Sequence, residues 1–346
     1  MLSIRTETIL KSIVGQYIMR AIPVASQSIV SDHELRVSPA TIRNEMANLE
    51  QEGYIKRQHH SAGSIPSDKG YRYYVESLGE IELPLTEQRM ISHLFHQVEG
   101  ELEEWLKLTA KLIAQLVQNM AIVTRPRPVN CRFQYLEIVA LHELLALVVL
   151  VLRGAKIKQQ LVTFDQAMSQ SELSAIARKM NTEYSGLTCA QIQAKEIELS
   201  PVEKQLTSCL VKIMQTECQQ DYEEPYLDGL HLMINQPEFA DSQRLRSLME
   251  LIDQRSILKS IIPEGLANQG IRVIIGRENK AAEIQDYSIV ISRYGLPNEA
   301  TGAIGIIGPT RMPYARAIST ISYLSSVLSS LANELYGEEY FHSDDN

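Results

Sequence analysis

Arg43 and Asn44 stand side by side in the segment Ser38-Pro39-Ala40-Thr41-Ile42-Arg43-Asn44-Glu45-Met46-Ala47-Asn48-Leu49. A guanidinium and a carboxamide are forked hydrogen-bonding groups. Arginine matches the paired acceptors of guanine, and asparagine matches the acceptor and donor of adenine. Reading bases in this way requires a narrow rod with small side chains beside the forks, and the spacing predicts one. Ser38 is a helix cap, and Pro39 fits a first turn, where a missing N–H costs nothing. Ile42, Met46 and Leu49 recur at i, i+4 and i+7, an apolar stripe that docks on a core. The opposite face carries Ala40, Arg43, Asn44 and Ala47, with Thr41 and Asn48 at its edges. A helix with purely structural duties has no need of that combination, so it points to nucleic-acid reading.

Such a helix has to be held, and the flanking patterns supply the frame. Helical spacing runs over residues 3–19, a shorter helix fits 23–35, and the helix 39–52 stops at Gly53. Tyr54-Ile55-Lys56-Arg57 alternates like a strand, residues 59–64 are turn-prone, and Ile65-Pro66 leads back. Ser67 then caps a helix through Tyr71, Tyr74, Val75 and Leu78. Helices followed by a hairpin are the winged helix-turn-helix order. In that frame Lys56, Arg57, Lys69 and Arg72 are candidates for phosphate contacts, which position without specifying. His59, His60 and Ser61 at the hairpin tip are further donors, the histidines charged only near or below pH ~6.5. The spacing of Tyr71, Tyr73 and Tyr74 favours packing on the core over stacking on bases.

Charge constrains how such binding works. The 346-residue chain has a net charge of −9, yet residues 1–76 hold 9 Lys/Arg against 8 Asp/Glu. A broad basic surface is excluded, and affinity has to come from locally placed cations. Cys131, Cys189, Cys209 and Cys218 form no CxxC pair and no zinc-ligand spacing with histidine, so reduced thiols and no metal are expected. Met1-Leu2-Ser3-Ile4-Arg5 runs straight into an amphipathic pattern, and the greasiest run, Leu144 to Leu152, is too short to span a bilayer. A cytoplasmic protein without membrane contact is expected.

Beyond residue 80, helical spacing continues from Leu94 to Val117 until Arg125-Pro126-Arg127-Pro128 interrupts it. Strands are predicted at 133–140, 144–152 and 157–164, helices over 170–220, a strand at 230–234 and a helix at 242–260. Strands at 271–275, 287–294 and 303–307 and a helix over 313–336 close the chain. That order predicts an α+β fold with a helix-rich piece inserted in it. Gly302, Gly305 and Gly308 lack the Gly-Lys-Ser/Thr ending of a phosphate loop and read as strand and turn glycines, and Thr310-Arg311 reads as structural. No nucleophile–base–orienter pattern is present, so neither an enzyme nor a cofactor is expected.

Three long segments carry a resemblance. The first is Ala40 to Ala47 with Leu49-Glu50 and Gly53-Tyr54. The second is Ser61-Ala62-Gly63, Ile65-Pro66 and Asp68-x-Gly70-Tyr71-Arg72-x-Tyr74-Val75. The third is Gly305 to Met312 with Tyr314-Ala315-Arg316. Weaker matches lie at Asn235-x-Pro237-Glu238-Phe239 and Ile274-x-Gly276-Arg277-Glu278-Asn279. In this order they resemble the HrcA family of heat-inducible transcription repressors.

The resemblance implies a winged helix at 1–80 and a connecting segment at 81–125. It also implies a GAF-like domain split into 126–169 and 246–346, with a dimerising domain inserted at 170–245. It further implies a homodimer that binds an inverted-repeat operator upstream of chaperone genes, with the chaperonin as the partner that maintains activity. Five positions depart from the family pattern: Ser64 where the family usually has Arg and His60 where it has Thr, Ala21 and Ala25 where Gly is usual, and Pro313 where Asp is usual. The rival reading is a metabolite-sensing regulator, which requires polar groups converging in an apolar cavity.

Overall fold

The computed structural model describes residues 2–30, 38–57, 63–98, 101–128, 131–153, 156–219, 225–240, 249–250, 270–296 and 300–341. Two compact units emerge. One comprises residues 1–125, 223–295 and 302–331, the other residues 126–222, 296–301 and 332–346.

The first unit begins with α1 (Ile4–Arg20), α2 (Ser26–Val30) and α3 (Pro39–Gln51), followed by β1 (Ile55–Arg57) and β2 (Ser64–Pro66). The Ser3 hydroxyl accepts the Thr6 N–H at the start of α1, and Ser38 does the same for Thr41 in α3. Gly53 takes the left-handed conformation expected of a helix stop, φ 79°. β1 and β2 pair antiparallel, and Val24 bridges to Ser64 through both backbone bonds at 2.8 Å. Ser64 is therefore fully buried in the pairing, whereas the hairpin-tip reading placed it at an exposed end. Its hydroxyl faces the Arg57 guanidinium, Nε at 3.4 Å. The rest of the predicted helix 23–35, together with His59, His60 and Ser61, lies outside the described residues.

α4 (Asp68–Glu76), α5 (Leu85–Gln97) and α6 (Leu102–Val117) follow, and then β3 (Met120–Val123). The apolar run from Leu94 onward is thus two helices and a strand, because a continuous apolar stretch does not by itself distinguish a buried strand from a helix. β3 is buried throughout.

The second unit opens with β4 (Arg127–Pro128), β5 (Phe133–His142), β6 (Leu145–Leu152) and β7 (Lys156–Thr163), then α7 (Gln170–Tyr184), α8 (Cys189–Ala194) and α9 (Pro201–Gln219). β5, β6 and β7 form one antiparallel sheet. Leu136, Ile138, Val148, Leu150 and Val162 bury one face of it with Leu173, Met180, Leu206 and Met214 of the helices. The expectation that 126–169 shares a domain with 246–346 differs from this arrangement. These strands pack on 170–219 because the apolar stripes of α7 and α9 cover them.

The chain re-enters the first unit at β8 (Tyr226–Asp228) and α10 (Leu230–Ile234), and continues with β9 (Ile271–Ile275), β10 (Tyr287–Leu296), β11 (Ala300–Pro309) and α11 (Tyr314–Phe341). Residues 230–234, expected as a strand, are helical. The strand lies just before them, and Gly229 turns between the two with φ 83°. The predicted helix 242–260 lies almost wholly outside the described residues. The sheet order is β8-β3-β11-β10-β9, with β3 antiparallel to β8 and β11, and β9 antiparallel to β10. Gly302, Gly305 and Gly308 lie along β11, as strand glycines, and Gly302 leaves room for the Tyr294 ring.

A single core runs from Ile9, Leu10 and Ile13 of α1 through Ile42 and Leu49 of α3 to Ile113, Ile304 and Ile321. The N-terminal helices and the five-strand path are therefore one body, a mixed α+β architecture. Among the described residues, no helix is long and apolar enough to cross a membrane.

Candidate nucleic-acid interface

α3 divides cleanly. Ile42, Glu45, Met46 and Leu49 are buried, while Ala40, Arg43, Asn44, Ala47 and Asn48 are exposed along one stripe. Burying each large apolar side chain contributes about 1.5–3 kcal/mol, which fixes the rotation of the helix about its own axis. Among the described residues, Arg43, Asn44 and Asn48 have no side-chain partner. No described residue engages their forks. Ser38 and Thr41 are instead drawn into the helix cap, hydroxyl to hydroxyl at 2.9 Å.

Glu45 is the residue that sequence reasoning missed. Its carboxylate accepts from Arg5 Nε at 3.0 Å and from the Thr6 hydroxyl at 2.9 Å, tying α3 to the start of α1. The signal was present. Position 45 follows Ile42 by three and precedes Leu49 by four, so it lies on the apolar stripe.

The basic candidates divide into those left open and those used internally. Lys56 is exposed and without a partner among the described residues. Arg57 bridges β1 to α3, its Nε 3.2 Å from Glu50 and 3.4 Å from the Ser64 hydroxyl. Lys69 donates to the Glu52 carbonyl at 2.8 Å and sits 4.0 Å over the Tyr54 ring. Its charge complements the negative end of α3. Arg72 is not brought to the exposed stripe. Its Nε meets Glu278 at 2.8 Å, and its Nη2 meets both the same carboxylate and the Val273 carbonyl. Hydrogen bonding to Glu278 holds the guanidinium pKa above its ordinary value. Tyr71 is buried and packs with its ring tilted against Tyr314, centroids 5.7 Å apart, Tyr73 makes an edge contact with Tyr54, and burial raises the pKa of Tyr71 and Tyr314. The tyrosines are therefore packing residues.

A cleft beside the hairpin is lined by Lys56, Asp68, Glu238, Arg277, Asp286 and Thr310. It is charged rather than apolar, unlike the cavity that a metabolite sensor requires. Among the described residues, no histidine, cysteine and acidic cluster has the arrangement of a metal site.

The model of the HrcA protein C-terminal domain matches residues 103–318. A heat-inducible transcription repressor HrcA of Dehalococcoides mccartyi is 53% identical over 338 residues, covering 98% of each chain. The chain belongs to the HrcA family. The HrcA of Roseiflexus castenholzii is 40% identical over 349 residues, with 97% of this chain and 96% of that one covered. A solved structure described as a hypothetical protein aligns over 96% of this chain and 99% of its own with TM-score 0.57 and 22% identity, a likeness of fold alone. As an HrcA-family member the chain is a transcription repressor, and the exposed stripe of α3 lies N-terminal to the part that the family model covers.

Proposed function

We propose that this HrcA-family chain is a DNA-binding repressor of chaperone operons that acts as a homodimer on an inverted-repeat operator. The observation that carries the reading is the exposed stripe of α3, with the forks of Arg43 and Asn44 unengaged among the described residues and their helix clamped from behind by Glu45. In this reading residues 1–80 are a winged helix-turn-helix, α3 enters the major groove, and Arg43 and Asn44 read base edges. Asn48, Ser38 and Thr41 contact the groove edge. Lys56 takes the flanking phosphates with the hairpin tip His59-His60-Ser61, and Arg57 and Lys69 steady the hairpin against α3. Arg72, bound to Glu278, is left out of the contact set. The sheet β8-β3-β11-β10-β9, flanked by α6 and α11, serves as the GAF-like body.

Pairing of two copies is supported by the second unit. The face of its sheet that no described element covers presents Tyr135, Val139, Ile157 and Leu161, which are 49%, 40%, 60% and 57% exposed. They align in register through Val151 and Leu147 of β6. An apolar sheet face of this kind marks an interaction surface, and a second copy places two α3 helices on one duplex. A chaperonin that maintains the active repressor, in the cytoplasm, completes the reading by family resemblance.

Footprinting upstream of the host chaperonin operon tests it. Symmetric protection over an inverted repeat is expected. Uniform protection that follows only DNA length would refute it.

A further inference from the structure

Four segments that carry the family resemblance are not needed for base reading, and all of them meet at one seam within the first unit. They are Asp68 to Val75, Asn235 to Phe239, Ile274 to Asn279 and Gly305 to Arg316. On one side of the seam the Arg72 guanidinium forks onto Glu278, while the Asp68 carboxylate accepts the Arg277 backbone N–H at 3.1 Å. Gly276 permits that approach. Its φ is +53°, and a Cβ there would lie 2.6 Å from Asp68. On the other side Arg311, 13% exposed, sends Nε to Glu238 at 2.5 Å, Nη2 to Glu238 at 3.2 Å and to Gln236 at 3.4 Å, and Nη1 to the Ile18 carbonyl at 2.6 Å. Ile18 lies in the last turn of α1, where helix carbonyls lack internal partners and a cation is favoured. Burial works against the Arg311 charge, and the hydrogen bonds and charge of Glu238 more than offset it. The Tyr71–Tyr314 contact supplies apolar adhesion between the two sides, but rings slide, whereas the bidentate Arg72–Glu278 pair and the Arg311 bond to the Ile18 carbonyl, with Arg311 itself oriented by Glu238, set an angle.

We propose that the Arg72–Glu278 pair, which spans the seam, and Arg311, which Glu238 holds against the Ile18 carbonyl, are positioning contacts that lock the N-terminal helices to the sheet, so that recognition of both half-sites depends on residues that touch no DNA. The proposal rests on the operator reading above. The gain from a second half-site is an effective concentration, and it is largest when the two reading helices are held at the separation that the duplex presents. A head that swings on its mount spreads α3 over a larger volume and loses that gain without losing any contact to a single half-site.

The test uses the full chain and an inverted-repeat duplex that the parent protein selects from random DNA. Glu238→Gln, Arg311→Lys and the milder Glu278→Gln, which leaves Arg72 its bond to the Val273 carbonyl, are titrated by fluorescence anisotropy. The duplexes are the repeat, one half-site alone, and repeats with the half-sites moved apart. Circular dichroism and melting confirm folding. The variants are expected to match the parent on one half-site, to lose about tenfold or more on the repeat, and to discriminate less between separations. Parent-like affinity and parent-like spacing preference would overturn the proposal even if melting temperatures fell, because the pairs would then be merely structural. An equal loss on half-site and repeat would also overturn it, by placing the effect in α3 itself. A parent that selects no inverted repeat would refute the operator reading, and this proposal with it.

Discussion

The two sheets of the molecule are finished to different degrees. In the first unit β11 is buried at every position of Gly302–Pro309, and six consecutive residues of β10 are buried as well. In the second unit β6 alternates buried and half-buried along its whole length, and β5 and β7 leave large apolar side chains in solvent. The same residue types therefore serve two ends. Near-continuous burial means that layers on both sides of the strands come from the chain itself, while strict alternation means that, among the described residues, only one face is covered. The closed sheet carries the N-terminal helices, and the open one leaves an apolar face exposed, the face assigned above by proposal to a second copy.

The sharpest way to break the contrast is a charge placed on each sheet. Leu161→Asp lies on the open face and is expected to leave the monomer folded, convert the dimer to monomer in light scattering, and lower operator affinity by about 10²–10⁴-fold. Ile306→Asp puts the same charge into the closed sheet, where it is expected to abolish cooperative unfolding altogether. A Leu161→Asp protein that remains dimeric would remove the distinction.

Within the closed unit, Arg43→Ala is expected to cost about 1–3 kcal/mol on the operator and to blur base preference. Lys56→Ala should weaken all duplexes alike and reduce the salt slope by about 1. Titrations across ionic strength separate the two, and equal operator binding by Arg43→Ala and the parent would exclude a reading role for Arg43.

Ala21 ends α1 in the left-handed conformation, φ 54°. Ala21→Gly is expected to stabilise the closed unit by about 1 kcal/mol, read as a higher urea midpoint, because a β-carbon is unfavourable there. Ala21 is thus a departure from the usual glycine with a measurable cost.

The smallest effect concerns the open unit. Burial raises the Glu203 pKa, but the Ser200 backbone N–H and the Lys179 ammonium more than offset it, so the net shift is downward. A depressed folded-state pKa contributes stability above the ordinary carboxylate range and loses it as pH falls through the folded value. Glu203→Gln should therefore flatten the acid side of the urea-midpoint profile for this unit. An unchanged profile would show that Glu203 is not the titrating group.

Local patterns were readable wherever one period dominates. The cap at Ser38, the stripe of Ile42, Met46 and Leu49, and the strands predicted at 133–140, 144–152 and 287–294, found at 133–142, 145–152 and 287–296, all follow from spacing of a few residues. β3 did not, since Met120–Val123 continues an apolar helical run and only its partners Ile304–Ile307 and Tyr226–Asp228 make it a strand. The boundary of the second unit was hidden for the same reason. Three apolar strands read equally well as part of either sheet until the helices that cover them are known.

By itself the chain determined which face of α3 is apolar and which carries forked polar groups, because helical periodicity is a property of neighbours in sequence. Tertiary structure decided which cations stay available. Arg72 and Lys56 look alike as letters, yet Glu278, some two hundred positions away, takes up the first, and no described residue takes up the second. An ion pair depends on which chains converge in space, and no period of 2 or 3.6 residues records that.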